Sequence, residues 1–187
     1  MIILKKLFLF LLYLKAKIHY KGRVHFRGFT IIREYPGSKI VIGNQVVFNS
    51  SPESNLYGLY QRCIVIAKDG GVLSIGDNTG ISGSTLFCKK QIEIGKNVFI
   101  GGNCKIMDSD WHSLEASKRI NQKEEDIKKA PIIIGDDCFI GGNSIILKGT
   151  KLGRNCVIGA GSVVHGEFPD NSIIAGNPAK IIKYNKE

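Results

Sequence analysis

From Ile134 onward the chain sets an aliphatic residue at every sixth position: Ile134, Ile140, Ile146, Leu152, Ile158 and Val164. Upstream, Ile94, Ile100 and Ile106 keep the same step, Ile75, Ile81 and Phe87 form an earlier run, and Ile42 marks a first, degraded turn. A step of six matches neither the two-residue period of a strand nor the 3.6-residue period of a helix, so it predicts a coil whose flat sides each consume six residues. Three such sides close a triangular prism. Each aliphatic residue then points inward and stacks on its equivalent eighteen residues away, in a column that no single coil buries alone.

The position four residues after each aliphatic one takes Cys104, Cys138, Ser144, Thr150, Cys156 and Ser162, all small, as a tight interior corner requires. Three cysteines are thereby explained as core filler, since a buried free cysteine behaves as a small hydrophobe. All five, at 63, 88, 104, 138 and 156, are odd in number and nowhere form a CxxC spacing, so neither a disulfide framework nor a metal site is expected.

The step from Ile106 to Ile134 is 28 residues, not a multiple of six, so the prism is interrupted there. Residues 113–130, SLEASKRINQKEEDIKKA, are strongly charged and aperiodic, which predicts a surface loop; long excursions of this kind are disproportionately functional. After Val164 the pattern decays into a predicted C-terminal cap over residues 168–187, with a turn at Gly176 and Pro178. At the other end, MIILKKLFLFLLYLKAK has an apolar run from Leu7 to Leu14, too short to span a bilayer and without a small-residue cleavage site. Lys5, Lys6 and Lys17 share one side of a helical wheel, so residues 1–25 predict an amphipathic helical segment that packs on the protein or lies in a membrane interface. Residues 26–183 then form one all-β prism domain.

Lys and Arg total 26 against 16 Asp and Glu, a formal charge of +10 that favours anionic partners. No zinc-finger spacing, RNP-like aromatic motif or helix-turn-helix accompanies it, so nucleic acid is not an expected partner. The phosphates of coenzyme A and an anionic leaflet both fit the charge.

The strings IIIGDDCFIGGNSIILKGTKLGRNCVIGAGSVV and IAGNPAKII resemble the C-terminal coils of the hexapeptide-repeat acyltransferases, which include maltose, galactoside and nodulation-type O-acetyltransferases and capsule or lipopolysaccharide O-acetyltransferases. The resemblance covers roughly residues 70 to 183, and IGAGSVV with AGNPAK are its most specific pieces. It implies a left-handed parallel β-helix and a homotrimer with active sites between subunits. It also implies direct transfer of an acetyl group from acetyl-CoA to a sugar hydroxyl, in surface polysaccharide biosynthesis, with no metal. Such an enzyme is expected in the cytoplasm, at the inner membrane surface if the N-terminal helix binds there.

A hydroxyl acceptor needs a base, and histidine is the side chain best matched to that task near neutrality. Of His19, His25, His112 and His165, His112 closes KIMDSDWH where the prism is interrupted, and family members carry their general base in the matching string. Asp108 and Asp110 alternate with Ser109 and Trp111, so on an extended strand they share a face with His112, where they orient the imidazole, bind acceptor hydroxyls, or form a solvated acidic edge. Trp111 either stacks on a sugar or packs against the loop. Ser82 and Ser84 occupy the coil before the base, where sugar-specific relatives place a small polar residue against the acceptor; corner serines explain them equally well. Gly142 and Ala160 match positions whose backbone contacts pantetheine, Lys180 matches a basic position near the nucleotide, and Lys183 matches less closely. His165-Gly166 replaces the family's Thr-Lys pair, which leaves the phosphate contacts of that coil open.

Three other readings use the same fold. A γ-class carbonic anhydrase needs three histidines around zinc, and the two coil histidines stand 53 residues apart. N-acetylation of a nucleotide-linked amino sugar uses the same base and coenzyme, and a non-catalytic trimeric scaffold needs neither.

Overall fold

Each six-residue step becomes one short strand and one corner, and successive strands fall on three sheets in rotation. The computed structural model describes residues 18–185. The helical segment expected at the N-terminus lies, through residue 17, outside the described residues. Strands are numbered in chain order. Sheet A holds β1 (His19–Tyr20), β4 (Lys39–Ile42), β7 (Val72–Ile75), β10 (Gln91–Ile94), β13 (Ile132–Ile134), β16 (Lys151–Leu152) and β19 (Glu167–Phe168). Sheet B holds β2 (Val24–Arg27), β5 (Val46–Asn49), β8 (Gly80–Ser82), β11 (Phe99–Ile100), β14 (Phe139–Ile140), β17 (Val157–Ile158), β20 (Ser172–Gly176) and β21 (Ala179–Tyr184). Sheet C holds β3 (Ile31–Glu34), β6 (Ile64–Ala67), β9 (Thr85–Cys88), β12 (Lys105–Met107), β15 (Ile145–Leu147) and β18 (Val163–Val164). Every strand pairs in parallel with its counterpart one coil on, except that β21 folds back antiparallel on β20.

The register follows the repeat. Ile134 pairs with Leu152, Ile140 with Ile158 and Ile146 with Val164, and all six are buried. Burying each such side chain contributes roughly 1.5–3 kcal/mol, so the column is the main source of stability. The predicted corner residues are buried too, and their polar atoms return to nearby carbonyls: Ser144 Oγ to Gly141 O at 2.7 Å, Thr150 Oγ1 to Leu147 O at 2.7 Å, Cys138 Sγ to Gly153 O at 3.1 Å. Burial pushes the thiols of Cys63 and Cys104 up, as suits inert filler.

The corner between sheets A and B carries a second repeat that hydrophobicity does not show. Gln45, Asn78, Asn97, Asp137, Asn155 and Asn171 all adopt φ between 54° and 63°. Asn and Asp tolerate this left-handed region better than other side chains. They also link up along the corner, Asn78 Nδ2 donating to Asn97 Oδ1 at 3.1 Å and Asn97 Nδ2 to Asp137 Oδ1 at 2.9 Å.

The structure departs from the sequence pattern in three places. The coil begins earlier than residue 26: β1 pairs with β4 and β2 with β5, so a full coil precedes Ile42, and His19 to His25 belong to it rather than to a helix. In the third coil Leu86, not Phe87, fills the core, pairing with Val65 and Ile106. That corner is one residue short because Gly83, at φ 45°, turns it tightly, and Phe87 is left on the outer face. Finally, residues 50–63 form a second excursion between β5 and β6.

Candidate active site

β12 ends at Met107, and the chain leaves the prism through Asp108. Asp108 is fully buried, its carboxylate accepting the backbone N–H groups of Lys89 at 2.8 Å, Lys90 at 2.7 Å and Gln91 at 2.8 Å. This corrects its expected contact with substrate: the carboxylate is spent on holding the turn between β9 and β10. Because the strand stops at Met107 and Asp108 turns inward, Asp108 and His112 do not share a face. Asp110 is different. Its Oδ1 receives Lys148 Nζ at 2.6 Å, while Oδ2 is buried without a hydrogen-bond partner among the described residues. Trp111 lies against Phe87, ring centroids 4.4 Å apart, and its Nε1 donates to Met107 Sδ at 3.4 Å, so the packing role is the one observed. His112 is exposed and makes no hydrogen bond among the described residues.

The loop beyond His112 is tied down at its far end. It contains α1 (Ala116–Arg119) and a 3-10 turn (Glu124–Asp126). Buried Lys89 reaches Glu124 at 2.9 Å and Asp69 at 3.3 Å, and Lys129 reaches Glu124 at 2.9 Å. The hydrogen bond from Lys129, then that from Lys89, holds the Glu124 carboxyl below its ordinary value. A depressed carboxyl stabilises fully above its unfolded pKa, and that contribution is lost as pH falls through the folded value. Relative to an unstructured peptide at the same pH, hydrogen exchange of residues 113–130 is therefore expected to accelerate selectively when the pH drops below about 4. Glu124→Gln is expected to show the same acceleration at neutral pH; equal protection in that variant would remove Glu124 as the anchor.

The remaining predicted residues sit at the corner between sheets B and C. Ser84 is fully buried, its Oγ 2.8 Å from Ser82 O and 2.9 Å from Gly101 O while accepting the Cys104 N–H at 2.8 Å. It is a corner residue, not an acceptor contact. Ser82 is nearly covered, with Oγ accepting from Asn49 Nδ2 at 3.1 Å and Asn55 Nδ2 at 3.0 Å. Gly142 and Ala160 stack one coil apart, linked through the bond of Gly161 N–H to Gly142 O at 2.9 Å. Gly142 is buried beneath Tyr57, Ala160 is exposed, and Lys180 is exposed on β21.

One chain thus does not bring all its candidates together. Four residues of chain from Cys104 to Asp108, about 13 Å when extended, separate the glycine corner from the Asp110–His112 corner across sheet C. The outer faces differ in kind. Sheet A presents Lys39, Glu93, Lys151 and Glu167. Sheet B presents Phe99, Phe139, Val157 and Ile173 in register, with Phe99 58% exposed, and sheet C presents Ile64, Ile66, Met107, Ile145 and Leu147, with Thr85 and Lys105 in the same row as Ile64 and Ile145. Two apolar faces meet at the edge that carries Gly142 and Ala160.

The sequence pattern missed Lys148, the partner of Asp110, and residues 50–63 with Asn55, Tyr57 and Leu59. A signal for the second existed: Ile42 and Ile75 pair in register but stand 33 residues apart, 15 more than one coil. Among the described residues no group of three or more His, Cys, Asp or Glu converges as a metal site would require, and no helix is long and apolar enough to cross a membrane.

The family described as the hexapeptide repeat of succinyl-transferase matches residues 91–106 and 131–165. An Escherichia coli (strain K12) protein that carries the name lipopolysaccharide biosynthesis O-acetyl transferase is 33% identical over 124 residues, 63% of this chain and 63% of its own length. A solved maltose O-acetyltransferase from Clostridium difficile 630 is 36% identical, with a TM-score of 0.54 over 62% of this chain and 60% of its own. An N-acyltransferase from Bacillus cereus, 22% identical, shares the fold with a TM-score of 0.68 over 90% of this chain and 84% of its own. The chain spans 30% to 63% of the length of the first curated relatives it matches. Its coils match the hexapeptide repeat over those two stretches, and the relatives they resemble are named as acetyltransferases.

Proposed function

We propose that the protein transfers an acetyl group from acetyl-CoA to a sugar hydroxyl, as a homotrimer. The observation that carries this is His112: a solvent-facing imidazole, without a hydrogen-bond partner among the described residues, at the point where the charged loop 113–130 leaves the coil. An imidazole so placed is free to take the proton of an attacking hydroxyl. The sugar oxygen then bonds to the thioester carbonyl carbon, backbone N–H groups of the glycine-rich corner meet the oxyanion, and the C–S bond breaks as the coenzyme thiolate leaves with the proton from His112. Ala160, exposed at the corner, allows a pantetheine arm to approach the backbone, and Lys180 with Lys183 offers positive charge for its phosphates. Asp110, held by Lys148 and with a buried Oδ2 that no described group occupies, is the carboxylate two residues before the base and the candidate to orient it.

Trimerisation supplies what one chain lacks. Two adjacent apolar faces on one prism suit a head-to-tail contact, sheet B of one copy against sheet C of the next, which closes as a ring when the rotation is one third of a turn. The corner with Ala160 would then face the neighbour's His112. The left-handed coil implied by the sequence resemblance accords with this reading, as does the likeness to a maltose O-acetyltransferase. The likeness to a protein named for lipopolysaccharide biosynthesis favours a surface glycan as acceptor, made on the cytoplasmic side, with the basic N-terminal segment toward the inner membrane.

The test is thiol release from acetyl-CoA in the presence of free sugars, nucleotide-linked amino sugars and bacterial surface glycans. Acceptor-dependent release with a hydroxyl-bearing sugar is expected. Release confined to amino sugars would replace O-transfer by N-transfer, and absence of both release and acetyl-CoA binding would replace the enzyme by a scaffold.

A further inference from the structure

Residues 50–63 leave sheet B after β5 and run along the corner between sheets B and C for three coils. Glycines make the route. A Cβ placed on Gly83 would lie 3.0 Å from the Leu59 side chain, one on Gly102 would lie 2.9 Å from Leu59 and 3.0 Å from Tyr57, and one on Gly142 would lie 2.9 Å from Tyr57. Hydrogen bonds fasten the loop there: Tyr60 N–H to Asn103 Oδ1 at 3.2 Å, Asn103 Nδ2 to Gly58 O at 3.1 Å, and Asn143 Nδ2 to Tyr57 Oη at 3.4 Å. The cover then stops. One coil beyond, Ala160 is exposed and a Cβ on Gly161 would meet nothing within 4 Å. Tyr57, itself 58% exposed, marks the end of the cover.

We propose that Tyr57 is the end stop for the acyl chain and sets the length that the protein accepts. This rests on the acyltransferase reading above. An acyl-CoA has an anionic nucleotide end and an uncharged acyl end. Exposed Lys180 stands beside the turn above Ala160, and Tyr57 stands below it, so charge orients the acyl end toward the ring. Height along the prism agrees. His112 follows β12, which belongs to the same coil as Gly102 and Asn103, and a three-fold axis parallel to the prism keeps a neighbour's His112 at that level. The thioester must come down from Ala160 toward that level, where the Tyr57 ring already covers Gly142 and Gly102, so an acyl chain longer than acetyl runs into the ring unless the ring moves. Leu59 and the Asn143 contact hold the loop in place against such movement.

The experiment is calorimetric binding of acetyl-, butyryl- and hexanoyl-CoA to the full chain and to Tyr57→Ala, Tyr57→Leu and Tyr57→Phe. A single methylene in an apolar site changes selection by about 10- to 200-fold. The parent is expected to bind acetyl-CoA at least about tenfold more tightly than hexanoyl-CoA, Tyr57→Ala to lose that preference, and Tyr57→Phe to keep it. Tyr57→Leu, which retains apolar cover over Gly102 with a shorter reach, is expected to fall between and serves if the alanine variant does not fold. A preference unchanged by the alanine or leucine substitution, or absent in the parent, overturns the end stop alone. A parent that binds no acyl-CoA overturns the acyltransferase reading and the end stop with it.

Discussion

His112→Ala is expected to lower turnover by about 100- to 10,000-fold, the range by which a positioned general base accelerates proton transfer. The fold is expected to be indifferent to the change. The imidazole is exposed and makes no hydrogen bond among the described residues, so its removal falls among surface substitutions worth within about 0.5 kcal/mol. The two readouts separate the roles: kcat for thiol release in the presence of acceptor, and the thermal midpoint. A collapse of kcat at constant midpoint is the signature of a base. Undiminished turnover would end the assignment, and a parallel fall of both would make His112 structural instead.

Asp108→Asn is expected to do the reverse, lowering the midpoint by about 6–12 °C while sparing kcat at low temperature. The native carboxylate serves three backbone donors at 2.7–2.8 Å inside the protein. An asparagine has one acceptor oxygen and must point its NH2 at one or two of those N–H groups. Hydrogen bonds to a charged group contribute about 1.5–3 kcal/mol each, so the loss is about 3 kcal/mol, and each kcal/mol moves the midpoint of a domain this size by about 2–4 °C. A midpoint within about 2 °C of the parent would show that the turn holds itself. A specific loss of activity without a shift would return Asp108 to the site.

The two variants also mark where sequence sufficed and where it did not. The prism was legible because a six-residue period is rare and each of its positions has a separate physical job: Ile140 stacks, Ser144 fills the corner and Gly141 lets the backbone of the next coil come close. The site was legible only in outline. Asp108, Asp110 and His112 alternate in the sequence, but alternation predicts a common face only while the strand continues, and it ends at Met107. Ser84 read as a possible acceptor contact because its type fits both that role and a corner. Phe87 was placed inside because the period was carried across Gly83, whose positive φ shortens the corner by one residue. The loop at 50–63 escaped because the early coils replace the Ile-Gly signature with Val46, Phe48 and Val65, which hold the core equally well.

The antiparallel return of β21 bears on what this molecule does not become. A stack of parallel strands in register offers, at its last coil, the same edges on which each new coil was built, and three matching edges would template a second molecule end to end. Here sheet B finishes with a strand of opposite direction, with an irregularity in its pairing at Ile173 and Ile174 and with Lys180 and Lys183 along it. Sheets A and C still offer edges at β19 and β18, yet an incoming coil has to satisfy all three sides at once. One reversed and charged side is enough to break that template, since exposed edges are ordinarily blunted by lysines and irregular pairing. The hairpin that places Lys180 beside the corner of Gly142 and Ala160 thereby also blunts the edge of sheet B against end-to-end pairing.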